Sequence, residues 1–490
     1  MPSSRTPLAD SYPTKVAMVL LALCPYIIVT TAATLMEQPV IKELHTSKLA
    51  LDMASGLANA GYAFGAVLAA LLAKKFPPRR MLLAYQALFI AGSAVVAAAP
   101  DVAVFTTGRI AEGMATGLML VAALPPLVTG FGVQKLPVTV AVVDIGLFGA
   151  TTVGPLLGGL VGSSGPGAWR LFFWALVAVG AVGLVTEALS VEPTDPLQPD
   201  ASLDVPALAL AVAATVLPFF AASELSSQAL ISWLVLPALV IGVAALVALV
   251  VLEYRKKDAV TPVKLLAHSF PVTGIFVAMF TGAAAVSLLE LAEELVVQGF
   301  HDRPLAAGLL FWPQVAGVAV AALAFGMVFR SRHTTTLIVA GVLVLGAGSV
   351  ALALNGSATG NLTIYLVAAA IGFGAGATVS PGLFLAGLSV PSRQLGPAFA
   401  LVELLRSEAA FLLGPVLLHV ALWHGAKRPQ LDHGVSVGGW VLVAVLAGGL
   451  AVCAFLWRGS GARSHSPDLQ RWLEDGDEAL DSPPVLAEVR

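Results

Sequence analysis

Apolar runs about 20 residues long recur along the whole chain, and no other feature limits its fold as strongly. A run of that length makes a helix long enough to cross the hydrocarbon of a bilayer. Inside lipid, only helices and closed barrels satisfy every backbone N–H and C=O. The runs fall at 16–36, 52–73, 81–99, 103–125, 138–161, 170–190, 205–222, 232–252, 271–292, 305–327, 335–354, 362–385, 397–422 and 437–457. Two of them, 103–125 and 397–422, also contain charged residues. Hydrophobic residues make up 58% of the chain and charged residues 11%, where a soluble domain carries about 25% charge. So much apolar surface does not fit inside a water-soluble core. The expectation is an all-α polytopic membrane protein with about fourteen spans.

Other classes are excluded on the same grounds. A net charge of -3 gives nucleic-acid binding no electrostatic support. Cys24 and Cys453 lie far apart in apolar runs, which rules out a disulfide framework and argues against a cysteine-based metal site. The histidines lack metal-ligand spacing, and no glycine-rich phosphate loop follows a strand. Neither an enzyme nor a bound cofactor or metal is expected. The first run is too long for the apolar part of a secretory signal and reads as the first span.

Cations set the orientation, because short cytoplasmic loops collect Lys and Arg. With the N-terminus inside, the inner segments hold Lys74, Lys75, Arg79, Arg80, Arg255, Lys256, Lys264, Arg330 and Arg332, and the outer ones only a few such as Lys48, Arg170 and Arg303. This favours N-in, C-in and an even number of spans. The loop 191–204 dissents, with Glu192, Asp195 and Asp204 and no cation, but acids weigh little in this rule.

An internal repeat gives the organisation. Segment 65–80, GAVLAALLAKKFPPRR, resembles segment 317–332, GVAVAALAFGMVFRSR, and Gly154-Pro155 has an echo in Gly414-Pro415. Repeats of this kind belong to transporter folds. The division that follows is a tail at 1–15, a six-helix bundle at 16–190, two additional helices with their loops at 191–268, a second six-helix bundle at 269–458, and a polar, acidic tail at 459–490. That tail reads as flexible and solvated, with at most a short helix near Leu469 to Leu473.

The fifth span carries the most specific pattern. Gly146, Ala150, Gly154, Gly158 and Gly162 recur every four residues and so line one helix face. Such a bare stripe lets a neighbouring helix approach closely in lipid. Pro155 frees a backbone carbonyl and invites a bend. The stripe is either a plain packing face or the packing face and pivot of a moving transporter.

Together with Gly159, this run resembles the fifth-helix antiporter motif of the major facilitator superfamily. Arg109 to Gly113 resembles that family's fourth-helix motif, and Trp169-Arg170 with Phe172-Phe173 the start of its sixth helix. Leu203-Asp204, the 253–265 loop, Gly372 to Gly376 and Arg406 resemble its fourteen-span drug:proton antiporter branch. The resemblance implies the major facilitator fold, two six-helix bundles plus two extra central helices, N-in and C-in. It further implies a monomer in the cell membrane of a bacterium, exporting amphiphilic or cationic small molecules and driven by a proton gradient. The motifs also depart from the family. Lys74 and Pro77 replace an acid and a glycine in the loop after the second span, Thr30 stands near the usual first-helix acid, and Glu112 and Glu403 replace Gln and Asn.

Charges inside spans cost roughly 2.5–3.5 kcal/mol each at mid-helix, which makes them functional suspects. Arg109 and Glu112 share a face and can pair, as can Glu403 and Arg406, with Glu408 close by. The resemblance places Arg109 near the proton path. Asp144 either latches the basic loop Lys74, Lys75, Arg79 and Arg80 or closes a helix contact. Glu290 reads as deep and cavity-facing, Glu293 and Glu294 as interfacial and solvated, and Glu37 as an outer-cavity group. An excess of intramembrane acid suits proton coupling and cationic cargo. The competing expectations are a symporter or carrier for a metabolite, lipid or siderophore, and a non-transporting membrane sensor or scaffold.

Overall fold

The computed structural model describes residues 6–193, 195, 203–225, 229, 231–256, 259–299, 303–355, 360–424 and 431–485. Of the expected segments, parts of the 191–204 loop and both chain ends lie outside the described residues. The described chain is helical, without a strand: α1 Tyr12–Leu44, α2 Lys48–Ala73, α3 Pro78–Ala98, α4 Val102–Thr129, α5 Leu136–Ser163, α6 Ala168–Ser190, α7 Val205–Glu224, α8 Val235–Arg255, the short α9 Val263–Leu266, α10 Ser269–Gly299, α11 Pro304–Leu309, α12 Pro313–Val328, α13 Thr334–Asn355, α14 Asn361–Gly387, α15 Leu395–His424, α16 Leu431–Gly459 and α17 Leu469–Glu474. Among the described residues, 13 helical stretches are long and apolar enough to cross a membrane, with α11 and α12 forming one of them. α15 matches the expected span at 397–422 in length, but it carries Glu403, Arg406 and Glu408 and is not one of the 13.

Helix starts follow local chemistry. The Asp101 carboxylate accepts from Ala103 N and Val104 N (both 2.9 Å) and caps α4. Ser47 Oγ accepts from Ala50 N (3.2 Å) and caps α2. Asp204 caps α7 through Ala207 N (3.2 Å) and also pairs with Lys256. Partial burial alone would raise the Asp204 carboxyl, but the bonds from Lys256 and the Ala207 amide outweigh it and hold it below its ordinary value.

The chain forms two compact units, and they do not coincide with the sequence halves. The first comprises residues up to Thr30, Glu37–Gly132 and Ser164–Thr261, hence α2, α3, α4, α6, α7, α8 and most of α1. Its centre is the α2–α4 pair, where backbones touch. A Cβ on Gly113 would lie 2.0 Å from Ala58 O, and one on Gly117 2.0 Å from Tyr62 O. α3 joins α6 through Gln86, whose Nε2 donates to Gly180 O (3.1 Å). At the far end of α1, Glu43 gathers the 164–170 turn. Its carboxylate accepts from Arg170 Nε (2.5 Å), Trp169 Nε1 (2.7 Å) and Gly167 N (3.1 Å). Gly167 stands at φ +78°, a conformation that suits glycine.

The second unit holds Thr31–Met36, Val133–Ser163 with α5, and everything from Pro262 onward. α14 is its hub, contacted by α10, α12 and α13, and nearly every residue from Val367 to Val390 is buried. The repeat seen in the sequence reappears here as packing: Gly317 sits 2.2 Å from Ala369 O when given a Cβ, as Gly65 sits 2.4 Å from Met114 O in the first unit. The glycine stripe of α5 is a packing face. Cβ atoms on Gly158 and Gly162 would meet Ala32 O at 2.5 Å and Leu35 O at 2.4 Å.

The tail corrects an expectation. The short helix is there, as α17, but the segment around it is docked through a few buried anchors, while most of its polar side chains stay exposed or half-buried. Trp472 is fully buried and donates from Nε1 to Val390 O (2.9 Å). Ala479 N and Leu480 N both donate to Leu388 O (2.8 and 3.0 Å), Ser269 N to Pro483 O (2.9 Å), and Val485 N to Ala267 O (3.1 Å). The bonds to Leu388 O and Val390 O satisfy carbonyls just beyond the end of α14, which the helix itself leaves unpaired. Acidic composition concealed this, because the anchors are four or five residues in an otherwise polar stretch.

Gly113→Ala and Gly117→Ala each destabilise by about 1–3 kcal/mol, because backbone blocks the added methyl. Gly346→Ala, with open space around it, leaves the thermal unfolding midpoint in detergent unchanged or raised. Trp472→Ala loses about 3–5 kcal/mol of local packing and opens the tail to limited proteolysis while the helices stay resistant.

Candidate functional site

In the first unit, α1, α2, α3 and α4 bring together a buried polar cluster. Arg109 and Glu112 lie one turn apart on α4, 3% and 0% exposed. Arg109 Nη1 donates to Glu112 Oε2 (2.5 Å), and Ser93 Oγ of α3 donates to Glu112 Oε1 (2.6 Å). The Arg109 guanidinium lies 5.4 Å from the centre of the Tyr26 ring and 6.0 Å from that of Phe173, within cation–π range. Tyr26 OH in turn donates to Asn59 Oδ1 (2.7 Å). Both carboxylate oxygens and the ring faces are thereby occupied, so the cluster holds one positive and one negative charge in a well-bonded setting. Sequence spacing supplied Arg109 and Glu112 only. Tyr26, Asn59 and Ser93 are uncharged and gave no signal beyond being polar in apolar runs.

The second unit is richer in acids. On α15, Arg406 binds Glu403 through Nε (2.9 Å) and again through Nη2. The stem of Arg406 packs over Gly282 of α10, with Cγ 3.2 Å from where a Cβ would be. Glu408 is 3% exposed, and neither oxygen has a hydrogen-bond partner. Glu290 of α10 lies over Gly414 of α15, its Oε2 2.4 Å from the position a Cβ would take.

The exposure expected for Glu293 is corrected. Glu293, read as solvated, is buried and hydrogen-bonded to Thr34. Glu290, read as the deep one, is exposed, and Glu294 is half-buried. Helical depth alone misled, because the Thr31–Met36 segment covers the Glu293 side of α10.

Asp144 of α5 is fully buried in the second unit, with Ser380 of α14 beside its carboxyl. The hydroxyl lies close without the geometry of a full hydrogen bond. Of the two expectations for Asp144, this is the helix contact. In the first unit Lys74 Nζ donates to Ala259 O and Arg79 Nη2 to Ala188 O (both 2.9 Å). Lys75 is half-buried and Arg80 exposed. Glu37 is mostly buried and pairs with Lys48 at 3.6 Å. Thr30, where the family carries an acid, donates to Ile27 O (2.8 Å) within its own helix.

Sequence reading passed over Glu187 of α6, which is 1% exposed with both oxygens unbonded. It sits near the end of its span, where a glutamate looks like an ordinary boundary residue. Of the α5 motif, Gly154, Pro155, Gly158 and Gly159 are buried, and Pro155 O packs against Gly308.

The chain is 26% identical over 397 residues, 79% of its length and 76% of the relative's, to the uncharacterized MFS-type transporter YubD of Bacillus subtilis. It is 27% identical over 409 residues, with the same coverage of 79% and 76%, to the drug efflux pump JefA of Mycobacterium tuberculosis. Among solved structures, a POT family transporter in complex with a thioalcohol-conjugated peptide superposes with a TM-score of 0.64 at 12% identity, covering 90% of this chain and 96% of that one. At such identity the likeness concerns the fold. The profile of the Major Facilitator Superfamily matches residues 18–415. With that match over most of its length, relatives that are transporters and a multi-pass helical architecture, the chain belongs to the Major Facilitator Superfamily of membrane transporters and is not an enzyme.

Proposed function

We propose that this transporter exports amphiphilic, cationic small molecules in exchange for protons, by alternating access, as an N-in, C-in monomer in a bacterial cell membrane. The observation that carries the reading is acid without matching cation inside spanning helices. Glu408 is buried with both oxygens unbonded. An ionised side chain left so in an apolar setting is expensive, and a group that exchanges a proton escapes that cost. Glu112, Glu403, Asp144, Glu290 and Glu37 are the further candidate carboxyls, with Arg109 and Arg406 holding their partners in place. The basic residues Lys74, Lys75, Arg79 and Arg80 act on the gating loop. The name of the relative JefA, a drug efflux pump, supports the direction and cargo. No cofactor is needed, since the gradient supplies the energy.

Purified protein in liposomes, with ethidium as the probe and an imposed pH gradient, tests this. Wild-type flux accelerates with the gradient. Glu408→Gln keeps gradient-free exchange and loses roughly 5–150-fold of the acceleration, the range of a coupling free energy of about 1–3 kcal/mol. Flux indifferent to the gradient in the wild type overturns the proposal. Arg109→Ala leaves Glu112 buried and unpaired and destabilises by about 3–5 kcal/mol, whereas Arg109→Ala with Glu112→Ala costs less than the sum of the two, as read by thermal unfolding.

A further inference from the structure

Four helices of the second unit share one acid. α5, α11, α12 and α14 contain between them a single charged side chain, Asp144, and a single other titratable one, Tyr365 near the start of α14. The Thr31–Met36 segment adds none. The nearest cation along α5 is Lys135, nine residues back, about 13 Å along a helix axis. Arg330 is occupied at the same end, donating from Nη2 to Val133 O (2.8 Å). The Asp144 carboxyl is 0% exposed.

Its seat is built by what is missing opposite. A Cβ on Gly376 of α14 would lie 3.1 Å from Asp144 Oδ2 and 2.9 Å from the Ala321 methyl of α12. The carboxyl therefore fills a notch where α5, α12 and α14 meet, with the Ser380 hydroxyl beside it. A neutral acid fits this seat. A carboxylate in it has no countercharge and one weak donor, and burial of that kind drives the group toward water.

We infer that Asp144, seated over Gly376 beside Ser380, takes up and releases a coupling proton, and that its charge sets whether α5 stays packed on α12 and α14. The proposal rests on the proton-coupled reading above and locates one of its protons. A proton from the aqueous phase on one side adds to the carboxylate oxygen and gives the neutral acid, which docks in the notch. Its loss to the other side restores the carboxylate, which leaves the notch. No other bond changes.

Spin labels test the movement without any substrate. They are placed at Val138→Cys and Met327→Cys, both exposed, in a Cys24→Ala, Cys453→Ala background. These positions flank the contact in which Gly326 faces Pro137 O. In lipid nanodiscs, the expected dipolar broadening is strong in acid and weaker in alkaline buffer (about pH 5.5 and 8.5). Asp144→Asn, uncharged and of the same shape, gives the strong acid-like signal in both. Gly376→Ala fills the notch and gives the weak signal in both. Broadening that ignores pH in the labelled parent, or that follows pH in Asp144→Asn, overturns the inference. The ethidium assay separates the two readings. If the labels respond while wild-type flux ignores the gradient, the protonation-dependent packing of α5 stands and the proton-coupled export reading falls. If gradient-driven flux in Asp144→Asn equals that of the wild type, the assignment to Asp144 falls and the export reading stands.

Discussion

Helices in lipid gain little by hiding apolar side chains from one another, since the solvent is as apolar as they are. What holds them is closeness of approach, and this protein obtains it where side chains are absent. Ala58 O and Tyr62 O of α2 rest against Gly113 and Gly117 of α4, at distances no side chain could share. The same device recurs where Gly317 meets Ala369 O, and where the α5 stripe meets Ala32 O and Leu35 O. Each polar cluster depends on these contacts for its position. Arg109 and Glu112 occupy the same α4 that Gly113 presses against α2, so Asn59 of α2 reaches the Tyr26 hydroxyl within the same cluster.

The buried acids are of two kinds. Glu112 is compensated by an arginine and a serine hydroxyl. Glu187 and Glu408 have no hydrogen-bond partner on either oxygen, and Asp144 has one hydroxyl at its side. A fully bonded pair resists change because removing either member strands the other. A buried acid with few bonds is poised to respond to protonation, because nothing else fixes its charge. Glu403 and Arg406 stand between these cases, paired with each other but partly open.

Much of the fold was legible because hydropathy reports on spans directly. All fourteen apolar runs correspond to helices among the described residues. Legibility of the site stopped at charge and spacing. Glu112 and Arg109 stood out as charges one turn apart, but Ser93 and Tyr26 come from other helices and carry no charge to flag them. Glu290 and Glu293 were ranked by depth along α10, whereas their exposure is decided by which neighbour covers each side. The tail was judged by its acids, and the few anchors that dock it, Trp472 above all, count for little in an average composition.

The sequence by itself determined that the chain crosses a membrane many times as helices, that it repeats, that α5 carries a bare face, and which charges lie inside spans. These follow from local rules, namely the length needed to span lipid and the angle between successive residues on a helix. Only the tertiary structure decided what those features meet. It placed Asp144 in the notch over Gly376, set the α5 stripe against Ala32 and Leu35, and docked the tail on Leu388 and Val390. The physical reason is that a partner in another helix is chosen by close packing of whole surfaces, which no window of sequence contains.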